Sequence, residues 1–200
     1  MSNTQARTRG FDRRLSGLPL AWVICFFATL VAVPARADTT VEVTRASLAL
    51  DEGVYGLDVD LGLNLPGGAR RAIEAGLALR LNYEIEIDRV RRYLPDPDVA
   101  SLVQSYELSY HALSQRHLLR NLNTGEQLDF GGLTSALDRL ATVRGLPLID
   151  VSLLEPGTTY EIRVRAVLTL RSAPDTLSWL LFWTDDWSAT SEWYAWTHRP

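Results

Sequence analysis

One cysteine, Cys25, stands in the 200 residues, and it lies in an apolar stretch near the N-terminus. The rest of the chain has no thiol for a disulfide framework or a thiolate metal site, so its stability has to come from a packed core. Apolar runs are short. Leu18–Val33, at about 16 residues, falls below the roughly 20 that a spanning helix needs, and the run from Leu177 is interrupted after Trp183 by Thr184-Asp185-Asp186. Positive charge is in deficit, with 20 basic against 24 acidic residues and a formal net charge of −4. Nucleic-acid binding wants the opposite sign on at least one face, which removes that class. Catalytic and cofactor motifs are missing as well: no tight elbow or oxyanion hole accompanies Ser109 or Ser114, and the acidic residues lack the EF-hand spacing.

What is present begins with an export signal. Arg7, Arg9, Arg13 and Arg14 form a basic n-region, Leu18–Val33 an apolar h-region, and Ala35-Arg36-Ala37 an A-x-A cleavage site. The expectation is a signal peptide over residues 1–37 and a single β-rich domain over 38–200, located in the periplasm, with no membrane span after cleavage. Residues 1–37 hold five of the basic residues (Arg7, Arg9, Arg13, Arg14, Arg36) and one acidic residue (Asp12), so the remainder carries 15 basic and 23 acidic residues, net −8.

Period-2 alternation dominates that domain. Val41–Leu50 and Val54–Leu65 flank Asp51-Glu52-Gly53 as a hairpin, with Tyr55, Leu57, Val59, Leu61, Leu63 and Leu65 on one face. Ala69–Ala75 fits a short helix stopped by Gly76, and a long strand runs from Leu77 to Asp88. Pro95–Asp98 marks a loop, Tyr106–Ala112 alternates again, and a strand near His117–Leu122 leads to a hairpin loop at Asn123–Glu126. Leu133, Ala136, Leu137 and Leu140 recur at helical spacing, and Gly145 with Pro147 is expected to close that helix. Tyr160–Leu170 is the clearest strand.

Few residues could carry chemistry. His111 and His117 would share a face if one strand ran through both, as two metal ligands do, with Glu107 beside them; Ser114-Gln115-Arg116 reads instead as a turn. Tyr110 and His111 are therefore assigned structural roles, with a histidine hydrogen-bonded in or near the core. Asp58, Asp60, Glu84, Glu86 and Asp88 fall on polar strand faces, where Arg80, Arg163 and Arg165 would pair with them across strands. No catalytic residue, metal or cofactor is assigned.

Two resemblances add to this reading. Leu154-Glu155-Pro156-Gly157-Thr158-Thr159-Tyr160 and the strand to Ala166 resemble the tyrosine corner of fibronectin type III and other immunoglobulin-like sandwiches, where a tyrosine opening a strand turns its hydroxyl to the backbone of the preceding loop. Tyr160 is thus a structural residue, and the predicted fold is mainly β: an antiparallel immunoglobulin-like β-sandwich elaborated with two short helices, an α+β arrangement being the alternative. In Ala75-Gly76-Leu77-Ala78-Leu79, Ser109-Tyr110-His111-Ala112-Leu113, Gly125 with Phe130, Ala136-Leu137, Tyr160 with Arg163 and Arg165, and the tryptophan-rich end, the chain resembles a family of uncharacterised exported proteobacterial proteins, domain of unknown function 4390. Aromatics crowd the end of the third strand in that family, whereas Arg91-Arg92-Tyr93 here leaves one tyrosine. The resemblance implies an exported domain without an assigned activity. Because such genes lie near membrane sensor kinases, it also implies an envelope-signalling partner.

Trp179, Trp183, Trp187, Trp193 and Trp196 crowd the C-terminal end. The first three are spaced i, i+4, i+8, while Trp193 and Trp196, in a strand-like segment, fall on opposite faces. Indoles bury large apolar areas and want a partner for the ring N–H, so part of the cluster seals the sandwich and the rest is left for docking. Trp183, Trp187, Trp193 and Trp196 are the candidate partner-binding residues. The function read from the sequence is a non-enzymatic interaction module of the bacterial envelope that docks a protein partner, a membrane sensor histidine kinase in the leading case. A periplasmic glycan-binding or glycan-cleaving module using the same tryptophans is the alternative.

Overall fold

The hairpin at the start of the domain is set by its turn. β1 (Thr40–Asp51) and β2 (Val54–Asn64) pair antiparallel with Asp51 opposite Val54, leaving a two-residue loop in which Glu52 (φ 46°) and Gly53 (φ 84°) are both left-handed. That is the turn whose twist matches paired strands. Val41 and Val43 are buried, but further along β1 the inward residues are Ala46 and Leu48, so the phase of the alternation changes. A bulge at Thr44 makes the change, since Val43 pairs Leu61 and Arg45 pairs Asp60. The Thr44 hydroxyl donates to the Asp60 carbonyl at 2.9 Å, which occupies a backbone acceptor at the irregularity.

The computed structural model describes the backbone of residues 40–90, 98–171 and 187–200. The predicted signal peptide (residues 1–37), Tyr93, Trp179 and Trp183 lie outside the described residues. After β2 come α1 (Gly67–Glu74), β3 (Ala78–Arg89), β4 (Asp98–His111), β5 (Arg116–Asn121), β6 (Gln127–Phe130), α2 (Leu133–Leu140), β7 (Thr142–Asp150), a 3-10 turn (Val151–Leu153), β8 (Tyr160–Arg171), β9 (Ser188–Thr190) and β10 (Tyr194–His198). Gly76 (φ 100°) ends α1: its N–H donates to the Ile73 carbonyl and that of Leu77 to Ala72, the paired bonds that close a helix on glycine.

Two antiparallel sheets face each other. The smaller has the order β1-β2-β7, and the larger β10-β8-β3-β4-β5-β6, with β9 also paired to β8. The architecture is an antiparallel β-sandwich with two short helices. β3 is central in the larger sheet; its Leu79, Leu81, Tyr83 and Ile85 cluster with Leu57 and Val59 of β2, Ile73 of α1 and Ala136 and Leu140 of α2, while its Ile87 joins Tyr55 in an adjoining part of the core. Fully buried aliphatic side chains such as Leu57, Leu79 and Leu81 contribute about 1.5–3 kcal/mol each. The described residues belong to one compact unit, Ala37–Pro200.

Gly145 and Pro147 do not close α2. The helix stops at Leu140, with the Ala141 N–H bonded to Leu137, and both residues sit inside β7. Proline is tolerated there because β7 is an edge strand. Gly145 takes φ 58°, its N–H donates to Asp58 Oδ1 at 2.7 Å, and the β2–β7 register shifts on either side of Gly56-Leu57. A composition that reads as a helix stop is here a kinked edge strand.

Tyr160 opens β8 with its ring buried, and its hydroxyl accepts the Glu155 N–H at 2.8 Å. The loop between Leu154 and β8 is thereby tied to the strand that follows it.

Candidate partner-binding groove

Beta alternation sends Arg163 and Arg165 of β8 outward from the larger sheet, and β3 sends Glu84, Glu86 and Asp88 to the same face. Register puts Arg163 opposite Glu86 and Arg165 opposite Glu84. Arg163 donates to Glu86 and Asp88 at 2.6 Å each, and Arg165 to Glu84 at 2.6 Å. Arg80 of β3 pairs with Glu107 of β4 at 3.0 Å instead, and Asp60 serves Arg45 and Arg144 on the smaller sheet. Such half-exposed pairs are worth about 0.2–1 kcal/mol each, so the ladder orients the guanidinium groups more than it stabilises the fold.

The indole of Trp193 lies over those guanidinium groups, 4.4 Å from ring centre to Arg165 Cζ and 5.6 Å to Arg163 Cζ. Trp196, in β10 opposite Ile162, packs on the inner face against both parts of the core. The two tryptophans occupy opposite faces of the larger sheet. Tyr194 and His198 share the inner face with Trp196, with centroids 5.9 Å apart for Tyr194 and Trp196, and His198 edge-on to Tyr55 at 4.8 Å.

Ser191 positions this segment, and sequence reading passed over it. It is buried, its N–H donates to the Ala166 carbonyl, and its hydroxyl accepts the Ala166 N–H, both at 2.9 Å. A short hydroxyl side chain thus replaces a ladder bond where the chain steps from β9 to β10. The Trp187 carbonyl accepts from Leu170, and its half-buried ring packs on the core. The sequence signal available for Ser191 was only a small polar residue between two aromatic ones.

Between the start of β1 and this segment runs an open groove of about 710 Å³, lined by Thr40–Val43, Trp187–Thr190, Glu192, Trp193 and Tyr194. Three aromatic residues, two acidic residues and, among the described residues, no cationic one are in its lining. β1 is an edge of its sheet, so the groove has strand backbone as one wall. Of the predicted tryptophans, the structure brings Trp187 and Trp193 together here and sets Trp196 on the inner face.

The histidines part company. Tyr110 pairs His117 and His111 pairs Arg116 across the β4–β5 hairpin, so the imidazoles project from opposite faces. His111 is exposed, with Nδ1 2.9 Å from Ser114 Oγ, which corrects its expected place in or near the core. His117 is the buried one, its centroid 5.0 Å from that of half-buried Tyr110, and neither of its ring nitrogens has a hydrogen-bond partner among the described residues. Among the described residues no group of three or more His, Cys, Asp or Glu side chains could hold a metal ion, and no helix is long and apolar enough to cross a membrane.

Residues 38–197 match the model of the domain of unknown function DUF4390, and the chain belongs to that family. No curated protein and no solved structure matches the chain.

Proposed function

We propose that this DUF4390 protein is exported to the periplasm through a cleaved signal peptide and acts there as a non-enzymatic interaction module. In this reading it docks a protein partner of the envelope, a membrane sensor kinase in the leading case, through the groove between β1 and the β9–β10 segment. The observation that carries the proposal is the meeting of a strand edge with Trp187, Trp193 and Tyr194 along one open groove. Large, rigid aromatic side chains that are neither fully buried nor isolated are the usual anchors of protein interfaces. Stacking of Arg165 on Trp193 takes up indole face that a sugar ring would need, which supports protein docking over glycan binding. A photo-crosslinking residue placed at Glu42 or Thr190, both exposed groove positions, tests the site in cells. It should give a covalent adduct with an envelope protein, while the same residue at exposed Leu113, on the β4–β5 turn, should not. Absence of any groove-specific adduct would remove the docking site.

A further inference from the structure

The charges around the groove identify the chemistry of what it takes. Among the described residues, Glu42 and Glu192 are the lining residues with a formal charge, both are exposed, and no arginine lines the groove. Apart from the histidines, every basic residue of the chain is an arginine, and among the described side chains Arg45 is paired with Asp60, Arg163 with Glu86 and Asp88, and Arg165 with Glu84. Two carboxylates, Glu42 and Glu192, therefore line the groove with no ion-pair partner among the described residues, in a domain whose net charge is itself negative.

Resting on the docking reading above, we propose that the groove accepts an arginine- or lysine-bearing segment of its protein partner. One cationic head would lie between Glu42 and Glu192 beside the Trp193 indole, with apolar residues of the segment against Trp187 and Tyr194. The uncompensated carboxylates would steer such a segment in and disfavour an acidic one. A neutral segment would leave the same hydrophobic contacts and lose the charge selection.

Three synthetic peptides test this: alternating valine and arginine, the same peptide with citrulline for arginine, and the same with glutamate. Isothermal titration against the purified protein should find the arginine peptide binding at least about tenfold more tightly than the citrulline one and the glutamate peptide not binding. Affinity for the arginine peptide should fall as salt rises past about 0.15 M, where the Debye length shortens to about 8 Å. The exposed pair Glu42→Gln with Glu192→Gln, which leaves the core untouched, should reduce the arginine peptide to the citrulline level. Equal binding of all three peptides that is lost in Trp193→Ala overturns the charge assignment and leaves the groove as a docking site. Binding indifferent to Trp193→Ala removes the groove itself, and failure of the arginine peptide to bind at all overturns the proposal.

Discussion

Replacing Trp193 and Trp196 by alanine, one at a time, separates the two jobs of the C-terminal segment. Trp196 is half-buried and touches both parts of the core, on the inner side of β10. Truncating a fully buried aromatic costs about 3–5 kcal/mol, and partial exposure places Trp196→Ala at about 2–4 kcal/mol. Trp193 lies on the outer face, where the main loss is its contact with Arg165 and Arg163. An exposed cation–π contact is worth about 0.5–1 kcal/mol, and both arginines keep their carboxylate partners, so Trp193→Ala should cost about 1 kcal/mol or less. Urea denaturation resolves the difference: with a slope of about 2 kcal/mol/M, the midpoint should fall by about 1–2 M for Trp196→Ala and by no more than about 0.5 M for Trp193→Ala. The folded Trp193→Ala protein should also lose the groove crosslink. Equal shifts in the two midpoints, or a larger one for Trp193→Ala, would refute the division of roles.

Tyr160→Phe leaves the Glu155 N–H without its acceptor and should lower stability by about 1–3 kcal/mol in denaturant melts, whereas an unchanged midpoint would mean the loop does not depend on that bond. His117→Phe should leave the midpoint unchanged or raise it, because the native ring buries two nitrogens with no partner among the described residues; a loss above about 1.5 kcal/mol would show that those nitrogens are paired in solution. Burial holds the Tyr83 phenol well above its ordinary value of about 10, and burial likewise raises Tyr106. For an acid whose folded value is raised, the stabilisation is complete below the unfolded value and lost above it, so stability should decline as pH rises past about 10. Absorbance of the phenolates should show Tyr83 ionising only as the chain unfolds, and Tyr83→Phe should flatten the alkaline decline; titration of every tyrosine near pH 10 in the folded protein would contradict this.

How much of this was legible depended on whether one face of each strand was apolar and the other polar. In β2, β3 and β8 it was, and the inward sets Tyr55 to Leu61, Leu79 to Ile87 and Tyr160 to Leu170 are the buried residues. β4 begins at Asp98, well before the alternation at Tyr106, because Val99 and Val103 point outward and Gln104 is buried, which scrambles the period. β7 was hidden for another reason: an edge strand accommodates Pro147 and a left-handed Gly145, and a single sequence gives those residues no edge to sit on. The ion-pair face could be read as a face, but which carboxylate each arginine takes is decided by register, as Arg80 with Glu107 shows. The groove was the least legible part. It joins the first strand of the domain to the last through tertiary closure, and Ser191, which sets the step between β9 and β10, carries no motif.

That closure has an energetic consequence. With its one cysteine at position 25, the domain has no covalent link between β1 and β10, and those strands belong to different sheets. A segment seated in the groove would touch Thr40–Val43 on one side and Trp187–Tyr194 on the other, so it would bind only where both are in place. Ligands that bind the folded state alone stabilise it by mass action, by about 2.7 kcal/mol at a concentration 100 times the dissociation constant. The arginine peptide should therefore raise the thermal midpoint in a concentration-dependent way, by several degrees for a domain of this size, and protect the amides of both β1 and the Trp187–Tyr194 segment from hydrogen exchange. Protection confined to the Trp187–Tyr194 segment would mean that the peptide rests on the aromatic residues alone and does not bridge the sheets. In that case the β1 wall is bystander structure, and Glu42→Gln should leave peptide affinity unchanged while Glu192→Gln still reduces it.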